Sequence, residues 1–206
     1  MPALQSLQTL QLDALRETAN IGAAHAATAL SQLTGATIMI KVPAIQVIRI
    51  DGLVSQFQPE EEPVAAVLMQ MLGDLTGRTL LVFPHGTVLR LTELMLRRPP
   101  GGTLPLGPLE QSAIKEAGNI LSGAYLNALS EFLGMMLLPS PPSLAIDMSE
   151  AVLSSAYLQF AEDPDAILCI ESEFVLTETA QTLRGLFVLM PEPASLQVML
   201  RALRLA

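Results

Sequence analysis

Cysteine is almost missing from this chain. Cys169 is the only one in 206 residues, which excludes an internal disulfide framework and any metal site built from several thiolates. Histidine occurs only at His25 and His85, too few for a zinc cluster. Basic residues are scarce: 11 Lys and Arg stand against 20 Asp and Glu, a formal charge of −9, with a pI near 4.6. A sequence-independent nucleic-acid binder needs a dense basic surface, so that class is excluded. Acidic membrane surfaces are disfavoured for the same reason. Only 15% of residues are charged and half are apolar, which excludes intrinsic disorder. Mean hydropathy is high, +0.46, yet no run of about 18 apolar residues lacks a polar break, so no membrane span is expected. The opening MPALQSLQTLQLD has no basic stretch ahead of an apolar one and does not read as a signal peptide. A cytoplasmic protein without membrane or nucleic-acid partners is expected.

What is present is a plan stated twice. A helical pattern runs from about Leu4 or Leu10 to Leu33, stopped by Gly35. A β-rich stretch, Thr37 to Ile50, is broken near Pro43. Val64–Leu72 and Arg78–Phe83 flank the turn GDLTG and read as a hairpin. His85–Arg98 is helical, and PPGGTLPLGP reads as a linker. A second long helix then spans about Pro108 to Leu133, stopped by Gly134. A short strand at 135–138, the loop PSPP, an extra helix at Ser149–Ala161, strands at Asp165–Leu176 and Gln181–Met190, and a final helix from Pro191 to Leu205 complete the reading.

Sliding the chain by 99 positions lays LDALRETANIGAAHAATALSQLTG over QSAIKEAGNILSGAYLNALSEFLG. Ala14, Glu17, Asn20, Ile21, Ala29, Leu30, Ser31 and Gly35 find identical partners, and Pro43 and Pro142 keep the offset. An internal duplication is the economical explanation. The expected fold is α/β (α+β): two helix–strand–hairpin–helix units, about 8–98 and 108–206, joined by a linker at 99–107. They share one sheet in a single 1–206 domain, with the long helices paired on one face.

Both long helices contain Asp/Ser-x-x-x-Glu-x-x-Asn: Asp13, Glu17, Asn20 and Ser112, Glu116, Asn119. At about 100° per residue these fall near 0°, 40° and −20°, one narrow stripe. Ala24, Ala27 and Ser31 extend it in the first helix; Gly123, Leu126 and Ser130 extend it in the second. Leu15, Ala19, Gly22, Ala26, Leu30 and Leu33 cluster on the opposite side, as do Ile114, Gly118, Leu121, Tyr125, Leu129 and Phe132. Those rows are the expected core faces, and the polar stripes are expected to face water. Asn is a poor choice for a solvated helix interior because its amide competes for backbone bonds. Two at one register suggest use. An amide can orient a water without changing charge, and a Glu can hold a cation or act as a base. The chain has no P-loop, Gly-x-Ser-x-Gly, paired Cys or His-Glu-x-x-His, so a site completed by a partner is favoured.

These motifs, the V-P strand and GDLTGRTLLVFP resemble the CheC family of chemotaxis phosphatases, whose relatives include CheX and FliY. The resemblance implies dephosphorylation of the phosphorylated response regulator CheY and binding of the receptor deamidase CheD. It assigns Asn20 and Asn119 to positioning the attacking water and Glu17 and Glu116 to pairing with the regulator's active-site Lys. Asp13 and Ser112 take supporting contacts. It implies no cofactor or metal of the chain's own, since the acyl-phosphate and Mg²⁺ belong to CheY. CheD is placed near Asp147–Tyr157, with Asp147, Met148 and Leu153 as contacts. The other reading is a CheD-binding adaptor with little phosphatase activity, for which CheY-phosphate is a ligand. Leu126, in the place of Ala27, is expected to hinder docking on the second helix. His25 reads as a solvated or packing residue and Cys169 as a buried strand residue.

Overall fold

The computed structural model describes residues 9–42, 44–48, 62–152, 155 and 167–203. Its elements, in order, are α1 (Thr9–Thr34), β1 (Ile38–Lys41), β2 (Ile45–Ile48), β3 (Pro63–Gly73), β4 (Gly77–Pro84), α2 (His85–Met95), α3 (Pro108–Leu133), β5 (Leu137–Pro139), β6 (Ser143–Met148), β7 (Ile167–Leu176), β8 (Gln181–Pro191) and α4 (Pro193–Leu203).

All eight strands join one sheet, ordered β1-β7-β8-β4-β3-β5, with β2 on β7 and β6 on β3. Every pairing is antiparallel. Exchanging the first four strands for the last four returns the same order reversed, which is the signature of a pseudo-twofold axis. The axis passes between β4 and β8, which pair from Gly77↔Pro191 to Val82↔Leu186. The halves are interleaved: β1 and β2 pair with β7, while β5 and β6 pair with β3.

The strands show the period-two alternation that separates two faces. On one face Val67, Met69, Leu81, Phe83, Leu168, Ile170, Phe174 and Phe187 meet Leu15, Ala19, Ala26, Leu30, Ile114, Leu121 and Leu129 of α1 and α3. Phe83, Phe174 and Phe187 are fully buried, each stabilising the fold by about 1.5–3 kcal/mol relative to exposure. The other face carries a smaller cluster that includes Val64, Ala66, Val82, Val152, Cys169 and Val188. Burial there pushes the Cys169 thiol up to about 12, with Glu171 adding to the effect, so it stays protonated at neutral pH.

Close approach explains two glycines. A Cβ on Gly22 would stand 3.0 Å from the Tyr125 Cα, where α1 crosses α3, and one on Gly118 would stand 2.6 Å from Val67 Cγ1 on β3. Tyr125 stacks on Phe187 at 4.8 Å and its hydroxyl lies 2.7 Å from Ser172 Oγ. The helix ends obey the duplication as well. Gly35 and Gly134 both take positive φ, 75° and 65°, the left-handed turn that ends a helix without a Cβ clash. Ser31 Oγ accepts the Ile38 N–H at 2.9 Å, and Ser130 Oγ donates to the Met135 carbonyl. The third residue of each short helix grips the opposite half: Thr87 Oγ1 accepts the Arg184 N–H at 3.1 Å and donates to its carbonyl, while Ser195 Oγ accepts the Thr76 N–H at 2.7 Å.

Several sequence expectations change. SLAIDM is strand β6, matching β2 at the 99-residue offset, so the symmetry breaks only after Met148. Leu33 and Phe132 are not core: they are 39% and 43% exposed. A helical wheel gives direction from the axis, not whether anything stands opposite, and at these last turns Thr34 and Leu129 are buried instead. Of the helix expected at Ser149–Ala161, residues 149–152 and 155 are described and are helical. Pro43 and the rest of that segment lie outside the described residues.

Candidate functional site

The stripe residues are placed as their spacing demands. Asp13, Glu17 and Asn20 on α1 are all exposed, as are Ser112, Glu116 and Asn119 on α3. Each trio spans two turns on a helix whose inner face packs into the core. α1 and α3 pack on each other, so the two trios share one layer of the molecule. Among the described residues, no hydrogen bond holds either Asn side chain. Arg16 Nη1 lies 4.0 Å from Asp13 Oδ1, a solvated contact that a partner displaces at little cost.

Beyond the trios the stripes run out. Ala24 is exposed and Gly123 half-buried, and a Cβ on Gly123 would touch nothing within 4 Å. Ala27 and Leu126 are buried. Leu126, at 1% exposure, packs inward in the main core and does not obstruct a docking partner. The expected hindrance is therefore withdrawn. Ser31 and Ser130 are engaged in the helix-to-strand turns. The open footprint is thus 13–24 on α1 and 112–123 on α3. Just beside it, Ile21 is exposed and Ile120 half-buried, offering apolar contact next to each amide.

The remaining candidates lie elsewhere. Asp147 is exposed on β6, opposite Val64, and its Oδ1 accepts the Met148 N–H at 2.8 Å. Met148 is half-buried, and Leu153 lies outside the described residues. A cavity of about 390 Å³ opens beside them, lined in part by Ser143, Asp147, Val152 and Ser155. It is on the sheet face opposite α1 and α3, so these residues and the motif trios are not brought together. His25 is exposed. Among the described residues, no three His, Cys, Asp or Glu side chains cluster to hold a metal, and no helix is long and apolar enough to cross a membrane. Sequence reasoning missed Glu93, a carboxylate buried against the linker. Its signal was a Glu at the end of an amphipathic helix, followed by a Gly-Gly pair.

Comparison with known proteins bears on the same residues. The model of the CheC-like family matches residues 10–47 and 109–146, two segments separated by the 99-residue offset and each carrying one trio. The chain is 30% identical over 205 residues, covering 98% of both proteins, to the protein named CheY-P phosphatase CheC of Bacillus subtilis. It is 28% identical over 152 residues to that organism's flagellar motor switch phosphatase FliY, covering 73% of this chain but 39% of FliY. The crystal structure of Thermotoga maritima FliY superposes with a TM-score of 0.79 at 24% identity, covering 97% of this chain and 98% of that one. The duplicated motif and the full-length relationship together make the chain a member of the CheC-like family.

Proposed function

We propose that the chain is a chemotaxis phosphatase that hydrolyses the aspartyl phosphate of phosphorylated CheY. The observation that carries this reading is the doubled, outward-facing Glu/Asn trio on two core-packed helices. The names of its full-length and partial relatives support it.

Asn20 or Asn119 enters the regulator's site and its carbonyl accepts a hydrogen bond from a water, setting it in line with the phosphorus. The water oxygen forms the new P–O bond as the bond to the regulator's aspartate breaks. The regulator's aspartate side chain is regenerated as a carboxylate, and the phosphate leaves as H2PO4−, carrying both protons of the water. Such a reaction depends chiefly on positioning and charge stabilisation, and the Mg²⁺ and Lys belong to CheY. One well-placed amide contributes on the order of 10²-fold. Glu17 or Glu116 pairs with the regulator's Lys and fixes register, an interfacial charge contact of about 1–3 kcal/mol when desolvated. Asp13 and Ser112 support that contact. The net charge of −9 gives no general attraction to an acidic phosphorylated protein, so recognition is local. The two halves work as one unit, since each trio stands on a sheet completed by the other half.

The test is phosphate release from phosphorylated CheY. The Asn20→Ala/Asn119→Ala double variant is expected to lose about 10²-fold or more of the turnover. Full activity in that variant refutes the assignment. CheD is proposed to bind at Asp147–Tyr157, where exposed Asp147 adjoins the 390 Å³ cavity. Asp147→Lys should weaken capture of CheD while sparing basal phosphate release. If wild type holds CheD tightly and shows no turnover with or without it, the adaptor reading replaces the enzymatic one.

A further inference from the structure

The linker between the halves is fastened by one carboxylate. Glu93, in the last turn of α2, is 8% exposed. Its Oε1 accepts the N–H groups of Gly101 at 2.7 Å and Gly102 at 3.0 Å, and its Oε2 accepts from Arg90 Nη1 at 3.3 Å. Burial pushes this carboxyl up, but the Gly102 and Gly101 amides and Arg90 together hold it below its ordinary value. It is therefore an anion at neutral pH, and a buried anion persists only where such donors surround it.

The held segment leads straight into α3. Leu106 is buried, Gln111 Nε2 donates to its carbonyl at 2.9 Å, and Arg98 pairs with Glu110 in the first turn. Gly107 caps the helix and Pro108 opens it, as a fixed φ suits the first helical position. Ser112, Glu116 and Asn119 follow within three turns. A cavity of about 430 Å³ is lined by Leu89 and Glu93 of α2, by the linker, and by Gly107 and Glu110. Leu106 packs in the main core with Leu104 against it, while the Gly101–Gly102 stretch is held to α2 by the Glu93 carboxylate. None of these ties reaches α1.

We infer that Glu93 is a positioning residue for the α3 trio, fixing through the linker amides the line along which Glu116 and Asn119 meet the phosphorylated regulator. This rests on the phosphatase reading for its effect on turnover, but the mechanical tie is measurable without it. The experiment places Glu93→Ala and Glu93→Gln in two single-site backgrounds. Asn20→Ala leaves only the α3 trio, and Asn119→Ala leaves only the α1 trio. Glu93→Ala is expected to lower kcat for phosphate release about tenfold in the first background and less than about twofold in the second, because a displacement of about 1 Å suffices for such losses. Glu93→Gln retains an oxygen for the two amides and should restore most of the rate. In parallel, backbone amides at 108–119 should exchange hydrogen faster in Glu93→Ala, while those at 9–20 stay unchanged. Should Glu93→Ala not fold, Arg98→Ala cuts the second, exposed tie and is expected to shift rate and exchange the same way by a smaller factor. Equal losses in both backgrounds, or unchanged exchange at 108–119, overturn the inference. If the double Asn variant releases phosphate at the wild-type rate, the phosphatase reading fails, and the exchange measurement alone decides on Glu93.

Discussion

Along α1 the residues that follow Asn20 on its stripe are Ala24 and Ala27; along α3 the same places hold Gly123 and Leu126. From sequence the second helix looks obstructed. In three dimensions Leu126 is buried and Gly123 leaves open space above it, so the two footprints are alike. The helices differ underneath. α3 is pressed against β3 at Gly118 and tied to β7 through Tyr125 and Ser172. α1 carries hydroxyls that fold back on its own turns, Thr18 to the Ala14 carbonyl and Thr28 to Ala24. Duplicated sequence has kept the exposed trios and let the packing beneath them diverge.

That contrast is open to attack by substitution. The largest effect is expected at Leu126→Ala, which removes a fully packed side chain and should cost about 2–4 kcal/mol in denaturant unfolding. If instead stability holds and phosphate release rises, Leu126 faces the partner and the two footprints are not alike. Gly118→Ala should lower stability by about 1–2 kcal/mol: the new methyl collides with Val67, an overpacking cost of about 1–3 kcal/mol that exceeds the gain of about 1 kcal/mol in helix propensity. A rise in Tm would show that α3 is not pressed on the sheet. Gly123→Ala has the smallest effect and the opposite sign. It installs the residue that α1 already has at position 24, meets no neighbour and should stabilise by about 0.5–1 kcal/mol with turnover unchanged. A drop in turnover would mean that docking on α3 needs a bare backbone there.

The stripes were legible because a helix fixes angular position from spacing alone, so Glu17, Asn20, Glu116 and Asn119 could be placed outward without coordinates. The repeat made the sheet's symmetry legible too. What escaped was depth and distant pairing. Leu33 and Phe132 point in the core direction but have nothing opposite. SLAIDM alternates but is only six residues long and follows three prolines, so its strand is fixed by pairing with β3, some 80 residues upstream. Glu93 escaped because its donors are backbone amides of Gly101 and Gly102, groups that every sequence contains and none advertises. Interleaving itself left no local trace, since either half could have closed on its own strands.

Interleaving also sets a timetable for synthesis. β4 lies at the centre of the sheet, yet the strand that covers its second edge, β8, ends 107 residues later in the chain, at Pro191 against Pro84. At about 5–20 residues per second on a ribosome, that edge waits roughly 5–20 s for its mate. Through that interval a strand reading GRTLLVFP keeps one edge unpaired, and an unpaired apolar edge is a template for pairing with another chain.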